Sequence, residues 1–318
     1  MLTFSVLLIL GLSAFANGAT IRDASGNVAI DMIVPRGQTR DEYLKSIVDY
    51  WTPERRASAI PLDTIVRDEK DFIDSNNEPR VERAATVLAP SALLPGMVST
   101  KPKIAGKVYF TVSGQNYICS GSVVNAENRD VVLTAGHCVF DYERQVWASL
   151  WVFVPEYSLG SRPLGTFAFR KLATKSEWMN SRDFNNDVGL VLVNPNEKGQ
   201  HVQDVAGGLG ITLDSQKNLR TTSFGYPKNM NSGETVSNCV GAPLSPTFLA
   251  GFTGVQLSCA MTGGSSGGPW IQQYDVNSQT GQQVSVNSFI VSNRPNNMFG
   301  PHFTESNIGS LYRAHQDQ

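Results

Sequence analysis

From residue 107 onward the chain is a succession of apolar runs three to nine residues long, each closed by a turn, and that rhythm excludes most folds. Lys107–Val112 gives way to Ser-Gly-Gln-Asn at 113–116 and then to Tyr117–Val124. Glu127-Asn-Arg-Asp130 leads into Val131–Leu133. Further runs are Val146–Val154, Thr166–Leu172, Val188–Val193, Arg220–Phe224, Val255–Cys259, Pro269–Tyr274 and Val284–Val291. Runs this short, bounded by turn residues, read as strands, and their number predicts an all-β sandwich or barrel rather than βαβ units. Ile308, Leu311 and Tyr312 sit at helical spacing, which predicts one C-terminal helix on the β structure. With 318 residues, 41% of them hydrophobic, there is length for a real core in one large domain or two ordinary ones.

The first 83 residues have a different texture. Met1–Leu10 carries no charged side chain, and small residues follow around Ala14-Phe15-Ala16. Residues 1–19 therefore read as a signal peptide, with small-residue cut sites after Ala16, Gly18 or Ala19. The run stops well short of the roughly 20 residues needed to span a bilayer, so a secreted, extracellular protein without a membrane partner is expected. Residues 20–83 are dense in charge, including Arg36, Arg40, Asp41, Glu42 and the run Arg67-Asp-Glu-Lys-Asp71. Within them Asp41–Tyr50 has Tyr43, Leu44, Ile47 and Val48 on one helical face. The segment closes on Arg80-Val-Glu-Arg83, a sequence of the kind that secretory processing proteases cut. We read 20–83 as a propeptide and 84–318 as the functional domain; the alternatives are a small subdomain or a disordered arm. A net charge of −2 gives no reason to expect nucleic acid, and a monomer is expected.

Cysteine usage fits an oxidising compartment. No Cys-x-x-Cys pair exists among the four cysteines, and their spacing points to Cys119–Cys138 and Cys239–Cys259, although three connectivities are open.

Chemistry concentrates in three places. Cys259-Ala-Met-Thr-Gly-Gly-Ser-Ser266-Gly-Gly-Pro-Trp270 places Gly264, Gly267 and Gly268 around a serine, so the backbone can fold tightly there. Alone, such a cluster is commonly only a flexible loop. A hydroxyl is a poor nucleophile at neutral pH and needs a base, and an imidazole base needs a carboxylate to orient it. The base candidate is His137, where the apolar run Val131-Val-Leu ends in Thr134-Ala-Gly-His-Cys138. The carboxylate candidate is Asp187, directly before the apolar Val188–Val193; Asp183 lies earlier, in a polar loop.

Thr134-Ala-Gly-His-Cys138, Asp187-Val-Gly-Leu190 and Gly264-Ser-Ser-Gly-Gly-Pro269 resemble the three signature blocks of the chymotrypsin/trypsin-like serine peptidases, in that family's order. Gly225-Tyr-Pro227 and the sequence of the serine loop are most similar to the secreted, microbial V8-like (glutamyl-endopeptidase-like) branch. The resemblance covers roughly Lys107–Tyr312. It implies two six-stranded antiparallel β-barrels with the active site between them, and protein or peptide substrates cleaved without a metal or cofactor. It implies Ser266 as nucleophile, His137 as general base and acid, and Asp187 as orienting carboxylate. The N–H groups of Gly264 and Ser266 would then form the oxyanion hole, and Cys119–Cys138 matches the family's bridge beside the histidine.

Departures limit what carries over. Ser265 stands where trypsin-like zymogens have the aspartate that receives the new N-terminus, so activation is expected to proceed differently, by unblocking of the cleft. Ala260 stands where trypsin has its specificity aspartate, and Val291 where glutamyl endopeptidases have a histidine. Ala260, Ser292 and His302 are the candidates for the substrate pocket. One alternative is a secreted protease-like binding protein or adhesin. A weaker one is an α/β-hydrolase esterase, which needs its acid and histidine after the serine (Asp275 and His302) and a parallel sheet.

Overall fold

In a computed structural model the protein is described over residues 20–62, 66–67 and 102–318. The signal-peptide reading of 1–19, the cut site at Arg80–Arg83 and the new N-terminus at Ala84 lie outside the described residues. The N-terminal part supplies β1 (Ile21–Arg22), β2 (Asn27–Asp31), α1 (Arg40–Tyr50), α2 (Pro53–Ser58), β3 (Ile60–Pro61) and β4 (Val66–Arg67).

The first large unit follows with β5 (Ala105–Val112), β6 (Gln115–Val123), β7 (Val131–Thr134), a small hairpin of β8 (Phe140–Asp141) and β9 (Val146–Trp147), β10 (Ser149–Pro155), β11 (Phe167–Lys175), α3 (Ser176–Ser181) and β12 (Gly189–Val193). β5 and β6 join through Ser113 and Gly114, both at positive φ (49° and 81°), the two-residue turn whose twist matches that of the strands it connects. Strands β5, β6, β7, β12, β11 and β10 pair in that order and β10 returns to β5, which closes a six-stranded antiparallel barrel. The two faces of its wall bury Val108, Phe110, Val132, Leu133, Trp151, Phe153, Leu190 and Leu192, all at most 1% exposed. The expected run Val146–Val154 is divided at Ala148, which bonds back to Val139.

Residues 20–62 are laid onto this barrel. β2 adds to β11 with Ile30 opposite Leu172, and β3 runs parallel to β6 with Ile60 opposite Tyr117. The helix expected at 41–50 is α1, started by Thr39 and Glu42, which cap each other's backbone N–H. Its apolar face buries Ile47 completely, worth about 2 kcal/mol by area removed from water. Trp51 follows, 2% exposed, with its indole N–H donating to the Leu150 carbonyl at 2.7 Å. Buried Asn27 donates to the Ser310 carbonyl, while its own side-chain oxygen accepts from Lys175 and from the Ser310 hydroxyl.

The second half contains α4 (Val202–Ala206), β13 (Gly210–Ile211), β14 (Thr221–Gly225), β15 (Ser237–Gly241), β16 (Val255–Ser258), β17 (Pro269–Asp275), β18 (Thr280–Val286), β19 (Phe289–Val291), β20 (Arg294–Gly300) and α5 (Ser310–Arg313). Its strands form two ladders, β13-β18-β17-β14-β15 and β16-β20-β19-β4. The expected single run Val284–Val291 is broken at Asn287–Ser288, which is where the chain leaves one ladder for the other. The Cys239–Cys259 disulfide ties β15 to the end of β16, and Cys119–Cys138 ties β6 to the turn after β7. The expected C-terminal helix is a π-helical turn, Glu305–Gly309, running into α5, and the two bury Ile308 and Leu311 respectively. Among the described residues no helix is long and apolar enough to cross a membrane.

Candidate active site

The closed barrel delivers a base and an acid side by side. β7 and β12 pair with Thr134 opposite Gly189, so the segment leaving β7 and the segment entering β12 emerge at the same edge. His137 sits on a single 3-10 turn after β7, and Asp187 lies two residues before β12. The His137 ring nitrogen Nδ1 is 2.9 Å from Asp187 Oδ2, and the His137 backbone N–H donates to Oδ1 at 2.8 Å. Gly136 makes this approach possible, since a Cβ there would stand 3.0 Å from Asp187 Oδ1 and 2.9 Å from Thr174 Oγ1. Asp187 is fully buried, and His137 is 2% exposed. Trp178 covers the imidazole from one side, ring centres 6.1 Å apart.

A third donor to Asp187 comes from the other half of the molecule. The Ser288 hydroxyl donates to Asp187 Oδ2 at 2.5 Å. Sequence reasoning missed it: Ser288 stands in Val-Asn-Ser-Phe with no local signature, and only the chain's change of ladder brings it to the carboxylate. Phe289 beside it belongs to an aromatic cluster with Trp178, Phe184 and Phe299 that joins the two halves next to the acid.

The serine loop docks against the same edge. The Ser120 backbone N–H donates to the Ser266 carbonyl at 2.7 Å, and the disulfide sulfur of Cys138 lies 3.7 Å from that oxygen. Gly267, at φ 81°, could carry no side chain, because a Cβ would fall 2.1 Å from Thr134 Oγ1. Gly264, at φ 96°, lies over Tyr226, whose carbonyl would be 2.6 Å from a Cβ. The Gly264 carbonyl accepts from the Ser120 hydroxyl at 2.8 Å. Fully buried Ser265 turns its hydroxyl onto the Thr262 carbonyl, so no charge stands beside the nucleophile candidate.

Beneath the loop, Lys107 of the barrel donates to Glu234 of the second half at 2.8 Å, and Glu234 also accepts from the Tyr157 hydroxyl. Burial pushes the Lys107 amine down. Burial would raise the Glu234 carboxyl, but the hydrogen bonds from Lys107 and Tyr157 outweigh it and hold the group below its ordinary range. The Tyr226 hydroxyl donates to the Tyr157 carbonyl, and burial drives its phenol far up, so it stays neutral.

The pocket candidates are dispersed. The Ala260 carbonyl accepts from Asn229 at 2.8 Å, at the start of the serine loop. Ser292 is exposed at the turn between β19 and β20, and Val291 before it is buried among aromatic rings. His302 turns to a different partner, its Nε2 3.0 Å from the Ser215 carbonyl, and burial followed by nearby Lys217 lowers its pKa.

The sequence profile of the trypsin family matches residues 98–306. The chain belongs to this family of serine peptidases. Among solved structures, the protease Anisep from Arthrobacter nicotinovorans is 33% identical and superposes with a TM-score of 0.64, over 69% of this chain and 98% of Anisep. A thermostable serine protease AL20 from an extremophilic microorganism is 31% identical with a TM-score of 0.62, over 68% and 97% of the two chains. A Glu endopeptidase shares the fold at 19% identity and a TM-score of 0.53, over 68% and 92%. A curated relative named extracellular metalloprotease, from Bacillus subtilis, is 25% identical over 178 residues, 55% of this chain and 52% of the relative. The chain thus spans about half the length of that relative.

A metal would need a donor set from this chain. Among the described residues, the one group of histidine, cysteine and carboxylate atoms close enough to share an ion is Cys119, His137 and Cys138. Both cysteines are consumed in the disulfide and offer no thiolate, so the residues present do not fit a metal.

Proposed function

We propose that the chain is a secreted serine endopeptidase that hydrolyses peptide bonds through an acyl-enzyme on Ser266. His137 takes the proton from the Ser266 hydroxyl as its oxygen attacks the peptide carbonyl, and returns it to the departing amine. Water then attacks the ester by the same route, with His137 again as base. Asp187 holds the Nδ1 proton and stabilises the imidazolium formed in each step. The N–H groups of Gly264 and Ser266 receive the developing oxyanion, a contribution of about 3–4 kcal/mol per donor in comparable sites. The observation that carries this reading is the buried Asp187 carboxylate, which accepts from the His137 ring, the His137 backbone and Ser288 together.

Substrates of this reading are proteins and peptides. With Ala260 at the pocket candidate position there is no carboxylate for an arginine or lysine side chain. With Val291 buried there is no imidazole for a glutamate. Secretion is supported by the two disulfides, and the similar protein from Bacillus subtilis is itself named extracellular.

Residues 20–83 act in this reading as the propeptide. β4 lies along β19 with Val66 opposite Ile290, on the edge left open by β20 and next to Ser288. An extended substrate needs such an edge for its own backbone hydrogen bonds, so removal of the segment unblocks it. This accounts for activation in a chain with Ser265 rather than aspartate.

The test is peptide hydrolysis by the processed protein. Ser266→Ala is expected to lower kcat by on the order of 10⁶. Equal activity in both proteins would remove Ser266 from the chemistry, and no activity in processed wild type would favour a binding protein.

A further inference from the structure

Asn287 is the residue at which the chain passes from β18 to β19, and it is wholly buried. Its carboxamide oxygen accepts from Trp270 Nε1 at 2.7 Å and from the Ser223 hydroxyl at 2.9 Å. Its amide nitrogen donates to the Ser265 carbonyl at 3.0 Å and to the Phe224 carbonyl at 3.1 Å. Its backbone N–H donates to the Gly268 carbonyl at 2.9 Å, and its carbonyl accepts from the Gly267 N–H at 2.8 Å. A carboxamide has two N–H donors and two acceptor lone pairs, so the side chain is saturated. Chemistry also fixes its orientation. Rotated by a half-turn, it would set N–H against the Trp270 N–H, and its oxygen against two carbonyls.

Three of the six groups it binds belong to residues 265, 267 and 268, which flank Ser266. A trans peptide unit is planar, with its C=O and N–H pointing opposite ways. The Ser265 carbonyl and the Ser266 N–H share one such plane. Asn287 and the Gly268 N–H (3.0 Å) both hold that carbonyl, so they aim the Ser266 N–H in the opposite direction. The next plane is fixed from both ends, its carbonyl by the Ser120 N–H and its N–H by the Asn287 carbonyl.

We propose that Asn287 is a positioning residue for the proposed hydrolysis: it sets the two peptide planes on either side of Ser266 and so aims the Ser266 N–H at the oxyanion. The inference rests on the proposed function. It assigns to an uncharged side chain from outside the loop the task of preorganising a donor before substrate arrives. No other protein side chain with two donors and two acceptors has this size, so nearly isosteric aspartate is the sharpest replacement. It keeps the acceptors for Trp270 and Ser223 but, when ionised, loses both donors and turns negative charge toward two carbonyls.

Steady-state hydrolysis of one peptide by processed wild type, Ser266→Ala, Asn287→Asp and Ser223→Ala tests this, with circular dichroism to establish folding. Asn287→Asp is expected to lose on the order of 10²-fold in kcat with KM within about threefold, the cost typical of a misaimed oxyanion donor. Its kcat/KM is expected to decline again on the alkaline side, where the introduced carboxyl loses the one proton it can donate. Wild type reaches a plateau there. Ser223→Ala, which frees one end of the carboxamide, is expected to lower kcat by roughly three- to tenfold at unchanged KM. Should Asn287→Asp not fold, Ser223→Ala decides on the same criterion. Wild-type kcat and pH profile in the folded variants, while hydrolysis still depends on Ser266, overturns the role of Asn287 alone. Hydrolysis independent of Ser266 overturns the proposed function and this inference with it.

Discussion

His137 and Asp187 stand at the ends of two paired strands of a closed barrel, in a register that brings them to the same edge. Ser266 stands on a loop that no ladder holds, in the half whose strands form two separate sheets. There the backbone is fixed by glycines that admit close approach and by side chains such as Asn287 and Ser120 that bind its peptide groups. A ladder obtains its geometry from repeated main-chain bonds and tolerates changes among side chains of similar shape. A loop held by single polar groups has no such redundancy, because each unsatisfied buried group costs roughly 1–3 kcal/mol. Substitutions on the barrel side should therefore separate chemistry from folding, and those on the loop side should affect both.

Asp187→Asn is the strongest way to sharpen the contrast. It is expected to cost about 10⁴-fold in kcat while the circular dichroism spectrum stays that of wild type, since the ladder and not the carboxylate positions the turn. A variant that unfolds instead would show that the barrel relies on the acid, and the contrast would break. Acid titration of stability probes one histidine on each side, His302 in the second half and His315 after α5 on the barrel. Burial lowers the pKa of both His302 and His315, so they stay neutral in the fold while the unfolded chain takes up protons below about pH 6.5. The unfolded state then binds more protons, so stability is full above that pH and falls as pH drops through it toward the folded values. Melting curves from pH 7.5 to 5 should show the decline, and His315→Gln should flatten it. The smallest effect concerns reduction. Cys119 and Cys138 are completely buried, whereas Cys239 is partly exposed. Mild thiol treatment followed by alkylation and mass spectrometry should open Cys239–Cys259 first, and the opposite order would break the comparison.

Legibility in the sequence follows the same division. The strands of the closed barrel are apolar runs between turns, and Thr134-Ala-Gly-His-Cys138 and Asp187 sit where such runs end and begin. β20 reads Arg-Pro-Asn-Asn-Met-Phe-Gly and was not foreseen, because a polar stretch containing proline carries no strand pattern. Backbone pairing with β16 and β19 makes it one. β15, Ser-Asn-Cys-Val-Gly, was hidden for the same reason. Ser288 and Asn287 act only through partners about 20 to 100 residues away, which no local spacing encodes. The serine loop was legible as chemistry, but what holds it was not. The charge-dense N-terminal segment showed its helix and concealed its strands, since Asn27-Val-Ala-Ile-Asp31 is too short to stand out until β11 supplies its neighbour.

The bonds between Asn27 and Ser310 span 283 positions of the chain. β2 and α5 meet on the same barrel, so Asn27 cannot complete its contacts until Ser310 has left the ribosome. Folding from the N-terminus during synthesis, the usual course for a chain of successive domains, is closed to that corner of the molecule. With so many pairings between distant residues, folding is also expected to be slow. Everything between Asn27 and Ser310 is made before this corner can lock.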